Sequence, residues 1–376
     1  MKTYRVGLIG FGFIGKVHAY GHINLPMFFD QSQFSTRITH VCTSRQTSAD
    51  KAAEQLGAVA AVTDYHEITE NPDIDIVHIC TPNHLHKDAL LSAINNNKHI
   101  YCDKPMVVDM KEAEEIKEAL KNYTATAQMT LQNRFFPATI RAKQLITENR
   151  LGQILEFRAC YLHSGSADPK APLKWKLSAE AGGGVIADLA SHVMDLMHFL
   201  LGDYEALVAQ TKIAYPERPS AVEPGKMVKV EVEDYVQMLV KMKCGATGNI
   251  EASKIATGAE DEMRFEIHGS KGALRFNGMD AHHLEFYDTA AAAAPNGGTR
   301  GWTAIDTGQR YDKPAGFPGP KFAIGWIRGH LQCLYNFLES VRDSKAGNPG
   351  LEQGIYIQYL MDKVRESAKD GKWVQI

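Results

Sequence analysis

The chain has few cysteines, little net charge and no long apolar run. Its 376 residues include six cysteines, and no two of them form a C-x-x-C pair. Scattered cysteines argue against a disulfide framework and a zinc site, and they are typical of a reducing compartment. The net charge of −3 gives no electrostatic basis for binding nucleic acid or an anionic membrane. No stretch approaches the length of apolar residues that spans a bilayer.

The first residues, MKTYRVGLIG, enter a strand-like run at once. They leave no room for the charged and apolar segments of a signal peptide, so we expect a cytoplasmic protein. The length is typical of about two to three domains.

Residues 1–127 alternate short apolar runs with helical patterns. This alternation predicts an α/β domain with a doubly wound parallel sheet and helices on both faces. The segment HINLPMFFDQSQFST predicts an unusually long crossover between the first helix and the second strand. The strand-like runs are Tyr4–Ile9, Ile38–Thr43, Ile76–Thr81, His99–Cys102 and Thr126–Thr130.

Residues 128–376 show longer alternating runs joined by turn residues. They predict an α+β domain with a large, open, mostly antiparallel sheet. Helices are expected at Val185–Leu201, Gly329–Asp343 and Leu351–Asp370, and a long loop at Thr289–Pro320. We expect the C-terminal helices to be able to pack back on the first domain. One sheet face needs covering, which favours a homodimer or homotetramer.

Three glycines follow the first strand-like run with the spacing G-x-G-x-x-G. Gly10, Gly12 and Gly15 close a strand and open a helical run, together with Phe13 and Ile14. In this context the motif predicts a dinucleotide-binding turn, with the pyrophosphate at the helix N-terminus. The alternative is a glycine-rich turn without a ligand.

The residues after the second strand bear on the choice of cofactor. A site that selects NAD usually has Asp or Glu there, but this chain reads CTSRQ. Arg45, with Ser44 beside it, is suited to pairing with a 2′-phosphate. The cofactor is therefore NADP or NAD, with NADP favoured by one arginine that is otherwise a surface residue at a helix start.

Several further motifs occur in a fixed order along the chain. They are TPNHLHKDAL (81–90), CDKP (102–105), NRFFPA (133–138), Trp175–Lys176, GGGVIADLASHVMD (182–195) and HGSKGALRF (268–276). With the glycine turn, they closely resemble the glucose-fructose oxidoreductase / inositol dehydrogenase (Gfo/Idh/MocA) family over nearly the whole chain. Relatives more often carry Glu at the position of Asp103, and their Lys–Pro bond is often cis.

Oxidation of a secondary alcohol needs a base for the hydroxyl proton and a positive group for the developing alkoxide. Lys104 lies at a strand end, where ligands bind in open α/β sheets. Asp188 and His192 are four residues apart and share a helical face, which Asp195 continues. The alternative is that this polar stripe is the solvated side of the helix.

The resemblance matches Lys104, Asp188 and His192 to the family's catalytic trio. It implies His192 as general base, Lys104 as proton-relay partner and electrostatic stabiliser, and Asp188 as anchor for a substrate hydroxyl. Lys104 is then expected to contact both cofactor and substrate. Gly182–Gly184 would let the backbone approach the ligand.

Other polar residues surround these motifs. Thr81, Pro82, Asn83 and His86 are candidates for cofactor contacts, although His86 is equally typical of a helix start. Candidate substrate contacts are Tyr161, His163, Asp168, Trp175 and Lys176, although Trp175 is also compatible with a core position. No constellation argues for a metal.

The predicted function is therefore NAD(P)-dependent, reversible oxidation of a secondary hydroxyl on a sugar, sugar derivative or inositol. Two alternatives stay open. Some members of the family are glycosidases that oxidise C3 transiently with bound NAD, and they use the same trio. A cofactor-sensing regulatory protein is the other alternative, but such members tend to lose the trio.

Overall fold

The computed structural model describes residues 2–30, 32–323 and 325–376. Contacts within the chain divide it into two compact units. The first contains the residues up to Gln132, with Tyr311–Gly319 and Ile327–Gln358, and the second contains Asn133–Arg310, Pro320–Trp326 and Tyr359–Ile376. None of the described helices is both long enough and apolar enough to cross a membrane.

The first unit contains a parallel sheet of six strands, as the sequence predicted. Its strands are β1 (Lys2–Ile9), β2 (Phe34–Cys42), β3 (Ala60–Val62), β4 (Ile76–Ile79), β5 (His99–Cys102) and β6 (Ala127–Met129). Their spatial order is β3-β2-β1-β4-β5-β6, and all neighbouring pairs are parallel. All four residues of β4 are buried, as expected for a strand covered on both faces. The strand order reverses at β1 and β4, where open α/β sheets bind ligands.

Helices follow the strands of this sheet. They are α1 (Phe13–Phe28), α2 (Gln46–Leu56), α3 (His66–Thr69), α4 (His86–Asn95) and α5 (Met110–Ala119). The predicted long crossover after the first helix is wrong, because α1 continues through Pro26. Pro26 lies in the last turn, where it removes one intrahelical hydrogen bond near the end of the helix, and the next segment is fixed by Phe29, whose ring stacks on Tyr335 at 3.8 Å. The short elements β3 and α3 were not predicted, because three or four residues carry no readable period.

The remaining elements alternate strands with a few helices. In chain order they are α6 (Pro137–Thr147), β7 (Ile154–Leu162), α7 (Ser191–Leu201), β8 (Tyr204–Lys212), β9 (Glu217–Pro219), β10 (Met227–Lys229), β11 (Tyr235–Met242), β12 (Thr247–Ser253), β13 (Glu262–Gly269), β14 (Gly272–Asn277), β15 (His283–Asp288), β16 (Trp302–Asp306), α8 (Trp326–Arg342), α9 (Leu351–Asp370) and β17 (Val374–Gln375). Nine strands form one sheet in the order β16-β15-β14-β13-β7-β12-β11-β8-β17. β7 and β12 run parallel and the other pairs are antiparallel, which confirms the predicted mostly antiparallel sheet.

Three expectations for this part of the chain need correction. The helix predicted over Val185–Leu201 begins with a π-helical turn, Ile186–Ala190, before α7. The predicted loop Thr289–Pro320 contains β16, which pairs with β15. Helix α6 and the β9–β10 hairpin were not predicted, because the strand-like alternation around them masks a single short helix and two strands of three residues.

Candidate active site

The glycine turn joins β1 to α1 and packs against the end of β4. Gly10 has a φ of 93°, and a Cβ there would lie 2.7 Å from the carbonyl group of Cys80. A Cβ on Gly15 would lie 2.1 Å from the carbonyl oxygen of Gly10. Side chains at these two positions would therefore break the turn itself.

Gly12 lies on the open side of the same turn, at the N-cap of α1. A Cβ there would meet no atom within 4 Å, and Phe13 beside it is 76% exposed. Ile14 is half-buried. The N-terminus of a 16-residue helix thus presents its backbone donors to open space, which fits a bound diphosphate.

Ser44 and Arg45 lie at the surface after β2, as the sequence predicted. Arg45 is the N-cap of α2, and its carbonyl oxygen accepts bonds from the amides of Ser48 and Ala49. The Thr43 and Ser48 hydroxyls also contact that carbonyl, at 3.0 and 2.8 Å. The turn is fixed by its backbone, and the guanidinium lies on the exposed side at the end of β2.

The loop after β4 contains Thr81, Pro82, Asn83 and His86. Asn83 is buried and Thr81 and Pro82 are half-buried. The His86 ring is fully buried, with Nδ1 3.0 Å from the Pro105 carbonyl oxygen and Nε2 2.8 Å from the Thr81 carbonyl oxygen. Burial lowers the pKa of His86, against the opposing effects of Asp103 and the carbonyls. His86 therefore ties two loops together, which favours the helix-start interpretation over a direct cofactor contact.

Lys104 follows β5, and its side chain is half-buried. The amide of the preceding Asp103 donates to the Ile79 carbonyl at 3.0 Å, which fixes the end of β5 beside that of β4. The Lys104–Pro105 peptide is cis. Because β1, β4 and β5 are parallel neighbours, their carboxyl ends bring Gly12, Asn83 and Lys104 to one edge of the sheet.

In the second unit, Asp188 lies between two lysines. Lys176 Nζ is 2.8 Å from Oδ1 of Asp188, and Lys254 Nζ is 3.1 Å from Oδ2. The sequence named Lys176 but not Lys254. Two cations at this distance favour the ionised carboxylate.

His192 is 5% exposed, and its ring meets that of Tyr161 edge-on, with centroids 5.7 Å apart. The Tyr161 hydroxyl donates to Oδ1 of Asp261 at 2.6 Å, and His163 Nε2 lies 2.8 Å from the same oxygen. Burial, with the Asp261 charge adding to it, raises the pKa of Tyr161 well above its usual range. The structure thus places Tyr161 next to both His163 and His192, and an unpredicted carboxylate, that of Asp261, contacts Tyr161 and His163.

The polar stripe Asp188–His192–Asp195 is not a solvated helix face. Asp195 is 1% exposed, and its carboxylate accepts hydrogen bonds from both Nε and Nη2 of Arg134. Arg134 belongs to the NRFFPA motif, so that motif supplies the partner for the last residue of the stripe. Asp195 is therefore a structural residue, whereas Asp188 and His192 face other polar side chains.

Two predicted substrate contacts lie at the surface. The exposed Asp168 accepts a bond from the Lys170 amide at 2.8 Å, which forms a local turn. Trp175 is 39% exposed, so the alternative that places it in the core is wrong. Lys176 Nζ lies 5.8 Å above the Trp175 ring, which brings an aromatic face close to the lysine that pairs with Asp188.

The glycine run before the π-helical turn makes room for the chain's own atoms. Gly184 has a φ of 105°, and a Cβ there would lie 2.4 Å from Oε1 of Glu233. That oxygen accepts the Ile186 amide at 3.0 Å and so stabilises the start of the turn. Burial raises the pKa of Glu233. This contact accounts for Gly184 without a ligand.

Sequence reasoning missed Lys254, Asp261 and Glu233. Lys254 directly follows β12, Asp261 directly precedes β13, and Glu233 lies two residues before β11. Nothing in the alternating pattern shows which of these strand ends meet. A lysine directly after the apolar positions of β12 was the available signal. Its interpretation required the parallel pairing of β7 with β12, which sequence periodicity does not predict.

Comparison with known proteins relates both parts of the chain to one family. Residues 4–131 match the model of the oxidoreductase family NAD-binding Rossmann fold (GFO_IDH_MocA), and residues 143–376 match its C-terminal alpha/beta domain. Levoglucosan dehydrogenase of Pseudarthrobacter phenanthrenivorans is 31% identical, covering 100% of this chain and 99% of the relative. Inositol 2-dehydrogenase of Rhizobium meliloti is 28% identical over 100% and 99%.

A solved structure of levoglucosan dehydrogenase in complex with NADH and levoglucosan superposes with a TM-score of 0.94. It is 31% identical and covers 100% of this chain and 99% of the other. The matches extend through the glycine turn and the π-helical segment. The chain belongs to the Gfo/Idh/MocA family of oxidoreductases, with an NAD-binding Rossmann domain followed by the family's C-terminal alpha/beta domain.

Proposed function

We propose that the protein transfers a hydride between a secondary hydroxyl of a sugar, sugar derivative or inositol and the nicotinamide of NAD or NADP. The carboxylate of Asp188 carries the proposal, because it lies 2.8 Å from one ammonium and 3.1 Å from another, four residues before His192. In this arrangement the Asp188 carboxylate accepts a hydrogen bond from one substrate hydroxyl. The imidazole of His192 acts as the base for a second hydroxyl of the same substrate.

Each member of the trio has a separate role in the proposal. His192 takes the hydroxyl proton, and its edge-on contact with Tyr161 fixes the ring. Asp188 accepts a hydrogen bond from a substrate hydroxyl and orients the sugar. Lys104 stabilises the developing alkoxide with its positive charge and acts as the proton-relay partner of His192. The bound nicotinamide supplies the hydride acceptor.

The substrate class rests on the relatives and on the residues near Asp188. Two relatives that match this chain over 99% of their own length are named as levoglucosan dehydrogenase and inositol 2-dehydrogenase. Trp175 offers an exposed aromatic face next to Lys176, a pairing suited to the ring of a sugar or cyclic polyol. Tyr161, His163 and Asp168 are proposed as further hydrogen-bonding partners.

The glycine turn is suited to the diphosphate of either cofactor. Gly10, Gly12 and Gly15 with Phe13 and Ile14 are proposed to hold it, and Thr81, Pro82 and Asn83 to contact the rest. Arg45 and Ser44 favour NADP, whereas the family model is described as NAD-binding. The preference between the two cofactors is therefore part of the proposal.

The test is an absorbance assay of nicotinamide reduction with levoglucosan, myo-inositol and a panel of monosaccharides, each with NAD and with NADP. Lys104→Met and His192→Ala should each lower turnover about a hundredfold or more while cofactor binding persists. Near wild-type rates in either variant would remove that residue from its role. Cleavage of a glycoside without net formation of reduced cofactor would instead identify the glycosidase reaction.

A further inference from the structure

The two lysines that pair with Asp188 differ in their surroundings. The side chain of Lys254 is 8% exposed, that of Lys176 is 50% exposed, and that of Asp188 is 17% exposed. Each lysine contacts a different oxygen of the carboxylate. One oxygen therefore has a buried, desolvated cation as its partner, and the other has a cation in contact with water.

The backbone around Lys254 is fixed on both sides. Its amide donates to the Asp234 carbonyl at 2.9 Å, and its carbonyl accepts the Ser166 amide at 2.7 Å. The preceding residue, Ser253, is the last residue of β12 and pairs with Leu162 of β7. This pairing fixes the position of Lys254 along the strand. The backbone of Lys254 is thus held on both sides, and its buried ammonium contacts Asp188.

A buried ion pair of this kind is a weak source of folding stability, because desolvation offsets most of the attraction. Its main effect is on orientation, because a charge-assisted hydrogen bond in a buried site holds the acceptor carboxylate in one orientation. The exposed Lys176 pair is screened by water and exchanges readily. The two contacts are therefore suited to different tasks.

We propose that Lys254 is a positioning residue for the reaction. It fixes Oδ2 of Asp188 and leaves Oδ1, shared with the exposed ammonium of Lys176, as the oxygen that accepts the substrate hydroxyl. This inference rests on the proposed function of Asp188 as substrate anchor. It adds a buried lysine at the end of β12 to the residues on which the rate depends.

The experiment compares Lys254→Met, Lys254→Arg and the control Lys174→Met, an exposed lysine two residues before Lys176. Oxidation of levoglucosan and myo-inositol is measured across pH with each purified full-length variant. Lys254→Met should lower kcat/KM about ten- to a hundredfold, the equivalent of one charge-assisted hydrogen bond. The acidic limb of its kcat/KM–pH profile should move to higher pH, because a carboxylate without its neighbouring cation is protonated more easily. Melting temperatures establish that each variant is folded.

Lys254→Arg keeps the charge, so it should keep the acidic limb of the wild type even where its rate is lower. Lys174→Met should match the wild type. A folded Lys254→Met with wild-type kcat/KM and acidic limb would overturn the inference and leave the proposed function standing. A wild type that oxidises none of levoglucosan, myo-inositol and the monosaccharide panel, with either NAD or NADP, would overturn both.

Discussion

Tyr161 donates its phenolic hydrogen to Oδ1 of Asp261 across 2.6 Å, while its ring lies edge-on to His192. Tyr161→Phe keeps the ring and removes the donor. Because the bond goes to a partly exposed carboxylate, we expect a loss of about 1 to 2 kcal/mol in folding free energy, seen as a lower melting temperature. The matched control is Tyr20→Phe, whose side chain is 41% exposed and which should change stability by less than ~0.5 kcal/mol. Equal melting temperatures for the two variants would contradict the prediction.

A chain of three buried histidines crosses the first unit. His22 Nε2 lies 3.0 Å from His78 Nε2, and His78 Nδ1 lies 3.1 Å from His18 Nδ1. The Thr36 hydroxyl contacts His22 at 2.8 Å, and the Cys80 thiol contacts His18 at 3.1 Å. With the Thr36 hydroxyl donating to His22, each ring can donate to the next and all three stay neutral.

The neutral chain predicts acid sensitivity. Burial lowers the pKa of His22 to about 3 and the pKa values of His18 and His78 well below their usual range. Folded-state pKa values below those of the unfolded chain mean that stability is complete above about pH 6.5 and falls as pH drops below it. With three such rings, the free energy of unfolding should change by about 4 kcal/mol per pH unit where the unfolded chain is fully protonated. We expect melting temperatures to decline steeply from pH 6.5 to pH 5.

The control for this prediction uses two histidines of the same unit. His22→Gln should remove about a third of the slope, because one of the three titrating rings is gone. His84→Gln, an exposed position in the turn before α4, should leave the slope unchanged. If the slope of His22→Gln equals that of the wild type, the buried chain is not its source.

The glycine turn allows a comparison of folding with binding. A Cβ at Gly12 meets open space, so Gly12→Ala should melt at the wild-type temperature and bind cofactor at least tenfold more weakly, because the methyl group occupies the diphosphate position. A Cβ at Gly15 lies 2.1 Å from a backbone oxygen, so Gly15→Ala should lower the melting temperature. Fluorescence titration with NADH and NADPH measures the affinities. Unchanged affinity in Gly12→Ala would place the diphosphate elsewhere.

The layout of the first unit followed from short-range patterns. Buried parallel strands are continuous apolar runs, and two glycines are demanded by the backbone of one turn, Gly10 by its φ of 93° and Gly15 by its closeness to the Gly10 oxygen, so both features are visible in local sequence. The extent of α1 was not, because a proline usually predicts a helix end, and the segment after Pro26 is fixed by Phe29, whose ring stacks on Tyr335 far along the chain.

Prediction of the site in the second unit was limited by pairing. The spacing of Asp188 and His192 indicated a shared face, but their surroundings depend on strands that meet across the sheet. Lys254 reaches Asp188 and Asp261 reaches Tyr161 only because β12 and β13 both flank β7. Alternation specifies which face a residue takes on its strand, and it does not specify the neighbouring strand.

We expect self-association through the exposed face of the nine-stranded sheet. Residues of β11 alternate between buried and exposed, and Leu239 on the outer side is 52% exposed. We expect sedimentation velocity at micromolar concentration to give the mass of two or four chains, and Leu239→Glu to shift it toward one chain. Val222→Glu, at an 87% exposed residue after β9, is the control. A wild-type mass of one chain would contradict the prediction.

We expect the choice between NAD and NADP to depend on Arg45, whose backbone is fixed at the N-cap of α2 and whose side chain is exposed. If its guanidinium pairs with a 2′-phosphate, Arg45→Ala should weaken NADP binding about ten- to a hundredfold and leave NAD nearly unchanged. Added salt should erode the preference of the wild type, because the pair is solvent-accessible. Lys51→Ala, an exposed cation on the same helix, controls for a general loss of charge. Equal losses for both cofactors in Arg45→Ala would mean that the guanidinium stacks on adenine, and the preference for NADP would then be wrong.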